Sequence, residues 1–315
     1  MILSDYFLAK ENIGWHYAKQ VGVENAVFRF PEDDGFDITD KTHWKTIYDR
    51  FVNFGIKPIL LEPMPNCVHD HIKCADEFRD ESIEKVIKMF TIMDEFDIRT
   101  ICFNFMAHIG WLRTSGTVPE RGGALVTGFD INDFVSDNYS ISEKELWDNY
   151  TYFIKAVIPY AEKHGIKLAL HPDDPPISKL GNVSRIMTSF EQINKAVHIV
   201  ESDNLGVTFC QATYVAMGEN LYDVIPAFAK ENKIFFIHFR DISAADKFHF
   251  HETFHDNGIT NMGEIIKLYQ QHGCNVPVRV DHVPSMYGEN NDIPGYAAVG
   301  RLFAIGYLKG LLENS

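Results

Sequence analysis

The stretch Ser142–His171, SEKELWDNYTYFIKAVIPYAEKHGIKLALH, carries one complete helix-to-strand unit. Ser142 and Glu145 have the spacing of a capping box at a helix start. Gly165 stands where a helix closes in the left-handed conformation, which an L side chain resists. Lys167–His171 is a compact apolar run suited to a strand covered on both faces. The reading is a helix over Ser142–His164, a glycine turn, and a strand over Lys167–His171.

The same punctuation recurs in both directions along the chain. Phe54-Gly55-Ile56-Lys57, Phe96-Asp97-Ile98-Arg99 and His272-Gly273-Cys274-Asn275 each precede a short apolar run. Seven further runs read as strands: Ile2–Leu8, Asn25–Phe30, Lys57–Glu62, Arg99–Phe105, Leu205–Cys210, Ile234–Arg240 and Val276–His282. The other strong helical stretches are Asp80–Phe96, Ser189–Glu201, Leu221–Asn232 and Asn261–His272, with Gly295–Leu312 as the last helix. Strands alternating with helices predict an α/β fold, a (β/α)8 TIM barrel with extended βα loops. With no Pro/Ser-rich linker, residues 1–315 read as a single domain. Two segments exceed an ordinary connection, Ala107–Ile141 and Asp241–Thr260, and long loops in a barrel belong near its active site.

Composition narrows the function classes. The 315 residues are 45% apolar and 23% charged, ordinary for a globular chain, and the formal charge is −15. That acidity argues against nucleic acid or an anionic membrane surface as partner. No apolar run approaches membrane-spanning length and no secretory leader is visible. Five cysteines without a CxxC pair suit a reduced, cytoplasmic setting.

A barrel gathers its chemistry at the C-terminal ends of its strands. Those ends are Glu62, Asn104, His171, Cys210, His238 with Arg240, and Asp281 with His282. His171, Cys210, His238 and Asp281 lie on the last four strands and form a two-imidazole, thiolate and carboxylate set for a divalent ion. A lone strand-end His is more often a hydrogen-bonded core residue than a ligand, and a buried Cys is usually a small hydrophobe; four consecutive strand ends make a shared site the stronger reading. His171-Pro172-Asp173-Asp174-Pro175-Pro176 is a proline-stiffened rim that presents acids beside that site. Arg240 reads either as a bidentate clamp for a substrate carboxylate or as a structural ion pair.

HPDDPP (171–176), the FC pair at 209–210, HFRD (238–241), FHETFHDNG (250–258), RVDH (279–282) and GYAAVGRLFAIGYLKGLL (295–312) resemble, in this order, the D-mannonate dehydratases, as does NFMAHIGWLRT (104–114). The resemblance implies a xylose-isomerase-like barrel that removes water from D-mannonate to give 2-keto-3-deoxy-D-gluconate in hexuronate catabolism. It implies a metal held by His171, Cys210, His238 and Asp281, most often Mn2+, with Fe2+, Co2+ and Zn2+ suited by ligand type. His282 and Tyr296 match the family's acid–base residues. Arg240, Asp173, His69, Asn104 and His251 are expected to meet the substrate. His69 and His71 are expected in a loop that approaches it. His249, His251 and His255 alternate, so a loop over the site is expected, with a second metal site as the rival. A homodimer is also expected.

The chain departs from the family pattern at Ala107–Trp111, at Asn261, and at the Gln-Ala-Thr that follows Cys210. A sugar isomerase or epimerase on the same barrel is the alternative function, and a non-catalytic sugar-acid or metal sensor is the third. Cys210 favours the lyase over the isomerase.

Overall fold

The computed structural model describes residues 1–32 and 35–314. Eight parallel strands close into a barrel: Ile2–Leu8, Asn25–Arg29, Lys57–Leu61, Thr100–Phe103, Lys167–Leu170, Leu205–Cys210, Ile234–Phe239 and Pro277–Val280. The first strand pairs with the eighth, Ile2 opposite Pro277, which completes the closure. The expected strands are all present, most of them shortened by one or two residues at an end.

The helices follow the expected punctuation. Ser142 and Glu145 make both bonds of the capping box at Glu143–His164. Gly55 and Gly165 close their helices at φ 82° and 63°. Asp97 does the same work at φ 56°, a conformation Asp tolerates better than most side chains. Phe190–Val197 ends four residues earlier than expected, and the last helix is Ala298–Glu313, so Tyr296 precedes it.

Alternation along each strand sorts the side chains into two shells. Val27, Leu60, Cys102, Ala169 and Phe236 pack together inside the barrel. Their chain neighbours Phe28, Leu61, Ile101, Leu168 and Ile237 pack outward against the helices. The inward parity continues to the strand ends. From Leu60 it reaches Glu62, from Cys102 Asn104, from Ala169 His171, and from Phe236 His238. The strand ends therefore deliver polar groups to one mouth of the barrel.

The two long segments are not irregular loops. Ser115–Pro119, Leu125–Asp130 and His249–His251 form a three-stranded antiparallel sheet beside that mouth. Leu125 also exchanges backbone hydrogen bonds with Ser285, at 3.0 and 2.8 Å, which ties this arm to the segment after His282. Among the described residues no helix is long and apolar enough to cross a membrane.

Candidate active site

The mouth of the barrel opens into a cavity of about 1050 Å³, whose lining includes Glu62, Asn104, His171, His238, Asp281 and His282. His171 Nδ1 lies 2.7 Å from the carbonyl oxygen of Pro172. A carbonyl only accepts, so Nδ1 carries the proton and Nε2 presents a lone pair. Burial holds this imidazole below its usual pKa and so favours the neutral ring. His238 turns Nε2 to within 2.8 Å of Glu62 Oε1. His171 Nε2 and His238 Nδ1 face each other at 3.2 Å.

At that separation the two nitrogens can share a proton or turn their lone pairs on one cation. Cys210 offers Sγ to the same point, and one donor atom from each of His171, Cys210 and His238 lies within 4.8 Å of the others. Asp281 Oδ2 is 3.5 Å from His238 Nδ1. Two imidazoles, a sulfur and a carboxylate are a coherent donor set for a divalent ion, with Glu62 fixing the His238 ring from behind. Glu62, Cys102 and the Nε2 side of His238 form a second cluster of ligand type, but both Glu62 oxygens are already engaged by Arg279 at 2.7 and 3.0 Å.

Charged side chains pack behind the donors. Burial opposes ionisation of Asp174, Glu252, Asp281 and Glu62, yet neighbouring guanidinium groups hold all four well below the usual carboxylate range. Arg113 grips Asp174 bidentately at 2.7 and 2.9 Å and reaches Glu252 at 2.5 Å. Arg240 spends Nε on Cys210 Sγ (3.2 Å), Nη1 on Glu252 (2.5 Å), and Nη2 on Asp174 and Thr213. With 1% exposure and these partners, Arg240 is the structural ion pair and not the substrate clamp.

Three other expected contacts fall elsewhere. Asp173 points away from the cavity, where its Oδ2 accepts from the Ile186 and Met187 amides, while its neighbour Asp174 lines the cavity. CVHDHIK is not a loop but part of the helix Asn66–Cys74, and His69 packs into Phe103, Phe105 and Phe153. His251 lies in the arm, with Nδ1 bonded to the Glu252 carbonyl. His249 is exposed and His255 is buried against the Phe239 carbonyl, and no candidate metal group among the described residues includes them.

His282 and Tyr296 meet over the donors, their rings 5.7 Å apart. His282 has φ 36°, a left-handed backbone that costs a non-glycine residue energy and turns its ring away from the barrel strand. Two contacts hold it to the last helix: Val283 N donates to Gly295 O at 2.8 Å, and Gly300 lies directly against Pro284 O. Trp111 stands edge-on to the His282 ring at 4.6 Å, and Glu252 Oε1 lies 3.0 Å from His282 Nδ1. Burial and the nearby Asp281 charge raise the Tyr296 phenol, which therefore stays protonated.

Sequence reasoning passed over Glu252 and Arg113. Their partners are 139 residues apart in the chain, so no local pattern signals them. Glu62 was visible as a strand end, but nothing local marked it as the partner of His238.

Comparison with known proteins agrees with this geometry. The family model described as D-mannonate dehydratase (UxuA) matches residues 3–140 and 131–315. A mannonate dehydratase of Streptococcus agalactiae serotype Ia is 32% identical, covering 96% of this chain and 93% of its own. Mannonate dehydratase 2 of Halalkalibacterium halodurans is 29% identical over 98% of this chain and 97% of its own. The crystal structure of mannonate dehydratase from Streptococcus suis serotype 2 superposes with a TM-score of 0.90 at 25% identity, covering 100% of this chain and 93% of that one. An L-ribulose 3-epimerase shares the fold at a TM-score of 0.62. The barrel, the gathered strand ends and these relatives place the chain in the D-mannonate dehydratase family of hydro-lyases.

Proposed function

We propose that the chain dehydrates D-mannonate to 2-keto-3-deoxy-D-gluconate with a divalent ion, Mn2+ first among candidates, held by His171, Cys210, His238 and Asp281. The observation that carries this reading is the convergence of two imidazole nitrogens, 3.2 Å apart, with a sulfur and a carboxylate, beside His282 and Tyr296. A divalent ion in that nest supplies electrostatic stabilisation for the charge that builds on the substrate carboxylate.

The chain's own groups move the protons. His282 takes the proton from C2 of the sugar acid. The C2 electron pair forms the C2–C3 double bond, and the C3–O bond breaks. Tyr296, held protonated, delivers its proton to the departing hydroxyl, which leaves as water. The enol so formed tautomerises to the 2-keto acid, and His282 returns its proton to solvent or to Tyr296. Trp111 lines the cavity beside His282 and limits water around the reacting carbons.

The test is direct. Purified protein with Mn2+ and D-mannonate should form 2-keto-3-deoxygluconate, and Asp281→Asn and His282→Asn should each abolish it. Stoichiometric metal without product would leave the ion site standing and reject D-mannonate as substrate.

A further inference from the structure

We propose that Glu252 is a positioning residue for His282: its carboxylate accepts the Nδ1 proton of the imidazole and so turns the Nε2 lone pair into the cavity. The inference rests on the reading of His282 as the proton acceptor given above.

The argument begins with what a carboxylate can do. Glu252 is buried between two guanidinium groups, with Arg113 Nη2 and Arg240 Nη1 each 2.5 Å from Oε1. Flanked by two fixed cations, the group is ionised, and an ionised carboxylate has only lone pairs. His282 Nδ1, 3.0 Å from the same oxygen, must therefore be the donor. A neutral imidazole has one N–H, so Nε2 is left bare. The nearest ionic oxygen to Nε2 is Asp281 Oδ1 at 3.6 Å, beyond hydrogen-bond reach, and the ring borders the cavity. The structure thus selects both the tautomer and the direction in which the base points.

Both excursions from the barrel converge on this carboxylate. Glu252 follows the arm strand His249–His251, and its backbone N donates to Thr127 O at 2.8 Å. Arg113 comes from the other long segment and Arg240 from the seventh barrel strand. The arm is then a device that brings an anion behind His282.

Substitutions separate this role from a structural one. Glu252 Oε1 receives every contact, and Oε2 has no hydrogen-bond partner in the structure. Glu252→Gln can place its carbonyl at the Oε1 position and its amide NH2 at the other, which keeps the acceptor and removes the charge. Glu252→Met removes the acceptor while keeping similar bulk.

The primary readout is the His282 tautomer in the full chain, 15N-labelled and loaded with diamagnetic Zn2+. It is read from long-range 1H–15N correlations assigned by comparison with His282→Asn. The expected spectrum has a protonated Nδ1 and an unprotonated Nε2 in the wild type and in Glu252→Gln, and loses that preference in Glu252→Met. In turnover of D-mannonate, Glu252→Met should lower kcat by about 10²–10⁴-fold, the scale of a mis-set histidine tautomer, with KM held within about threefold. Glu252→Gln should restore most of that loss.

A wild-type ring protonated at Nε2, or wild-type kcat in Glu252→Met, overturns the proposal. If Glu252→Met does not fold, the wild-type and Glu252→Gln spectra still decide the matter. If the wild type does not dehydrate D-mannonate, the proposed function falls, while the tautomer experiment still stands or fails by itself.

Discussion

Gly300 offers a sharp test of how tightly the proposed proton-transfer pair is built. An ideal Cβ at this position would lie 1.8 Å from Pro284 O and 3.0 Å from Pro284 C. Both are backbone atoms, so no side chain can swing aside. A tolerable carbon–oxygen contact is about 3.3 Å, so Gly300→Ala must open about 1.5 Å between the last helix and the segment that follows His282. Tyr296 lies just before that helix and His282 two residues before Pro284, so the gap is inserted between the proposed acid and the proposed base.

Overpacking of this kind costs about 1–3 kcal/mol, and the gain in helix propensity returns about 1 kcal/mol. The net change in stability is therefore small. A misplacement near 1 Å costs about 10²-fold in rate. Gly300→Ala should lower kcat for D-mannonate by about 10²-fold while moving Tm by only a few degrees. Gly306, in the same helix with nothing within 4 Å of its ideal Cβ, is the control, and Gly306→Ala should keep full activity and gain up to about 1 kcal/mol. Full activity in Gly300→Ala, or equal losses in both variants, would refute the reasoning.

Three more outcomes are expected. Burial holds His255 neutral down to a pKa of about 4, against about 6.5 in an unfolded chain. The unfolded state therefore takes up the proton first as pH falls, and lowering pH from 7 to 5 should remove about 2 kcal/mol through this residue. Urea unfolding at both pH values should show that loss in the wild type and a loss smaller by about 2 kcal/mol in His255→Gln; identical losses would discard the argument. Mn2+ titrated into EDTA-stripped protein should bind at one ion per chain and stabilise it by about 2.7 kcal/mol at a hundredfold excess over Kd. Calorimetry on His171→Ala and His238→Ala should find that binding gone, and retention by both would remove the donor set. Glu62→Gln removes one of the two carboxylates that pair with the buried Arg279, leaving Asp281 at 2.8 Å, and should destabilise by about 1.5–3 kcal/mol in denaturant unfolding, whereas a change under about 0.5 kcal/mol would mean that the pair is solvated.

Much of the barrel was legible because its signals are local. A glycine forced to positive φ and an apolar run buried on both faces can each be read within a few residues. The gathering of His171, Cys210, His238 and Asp281 was legible for the same reason, since inward parity carries each of them to the mouth. Asp173 and Asp174 show where this stops. Two adjacent acids in a proline-rich turn cannot be told apart without the backbone path, and the path sends the first to the Ile186 and Met187 amides and the second to Arg113. His69 was misplaced because a polar-rich heptapeptide reads as a loop, although its apolar face was helical. Arg240 was open between two roles, and only its partners, contributed by the arm and by the turn after the fifth strand, decide between them.

The pairing of the two long segments has a consequence for protein engineering and for descent. Residues 115–130 and 249–251 share one sheet, and Arg113 and Glu252 close on each other beneath it. A graft or deletion in either segment alone takes one partner from a buried charge on the other, leaving Arg113 with Asp174 or Glu252 with Arg240. The two therefore behave as a single inherited cassette, although more than a hundred residues separate them in the gene product. A library that aims to widen the substrate range should exchange both together. Among natural chains, length changes in one segment should be matched by changes in the other.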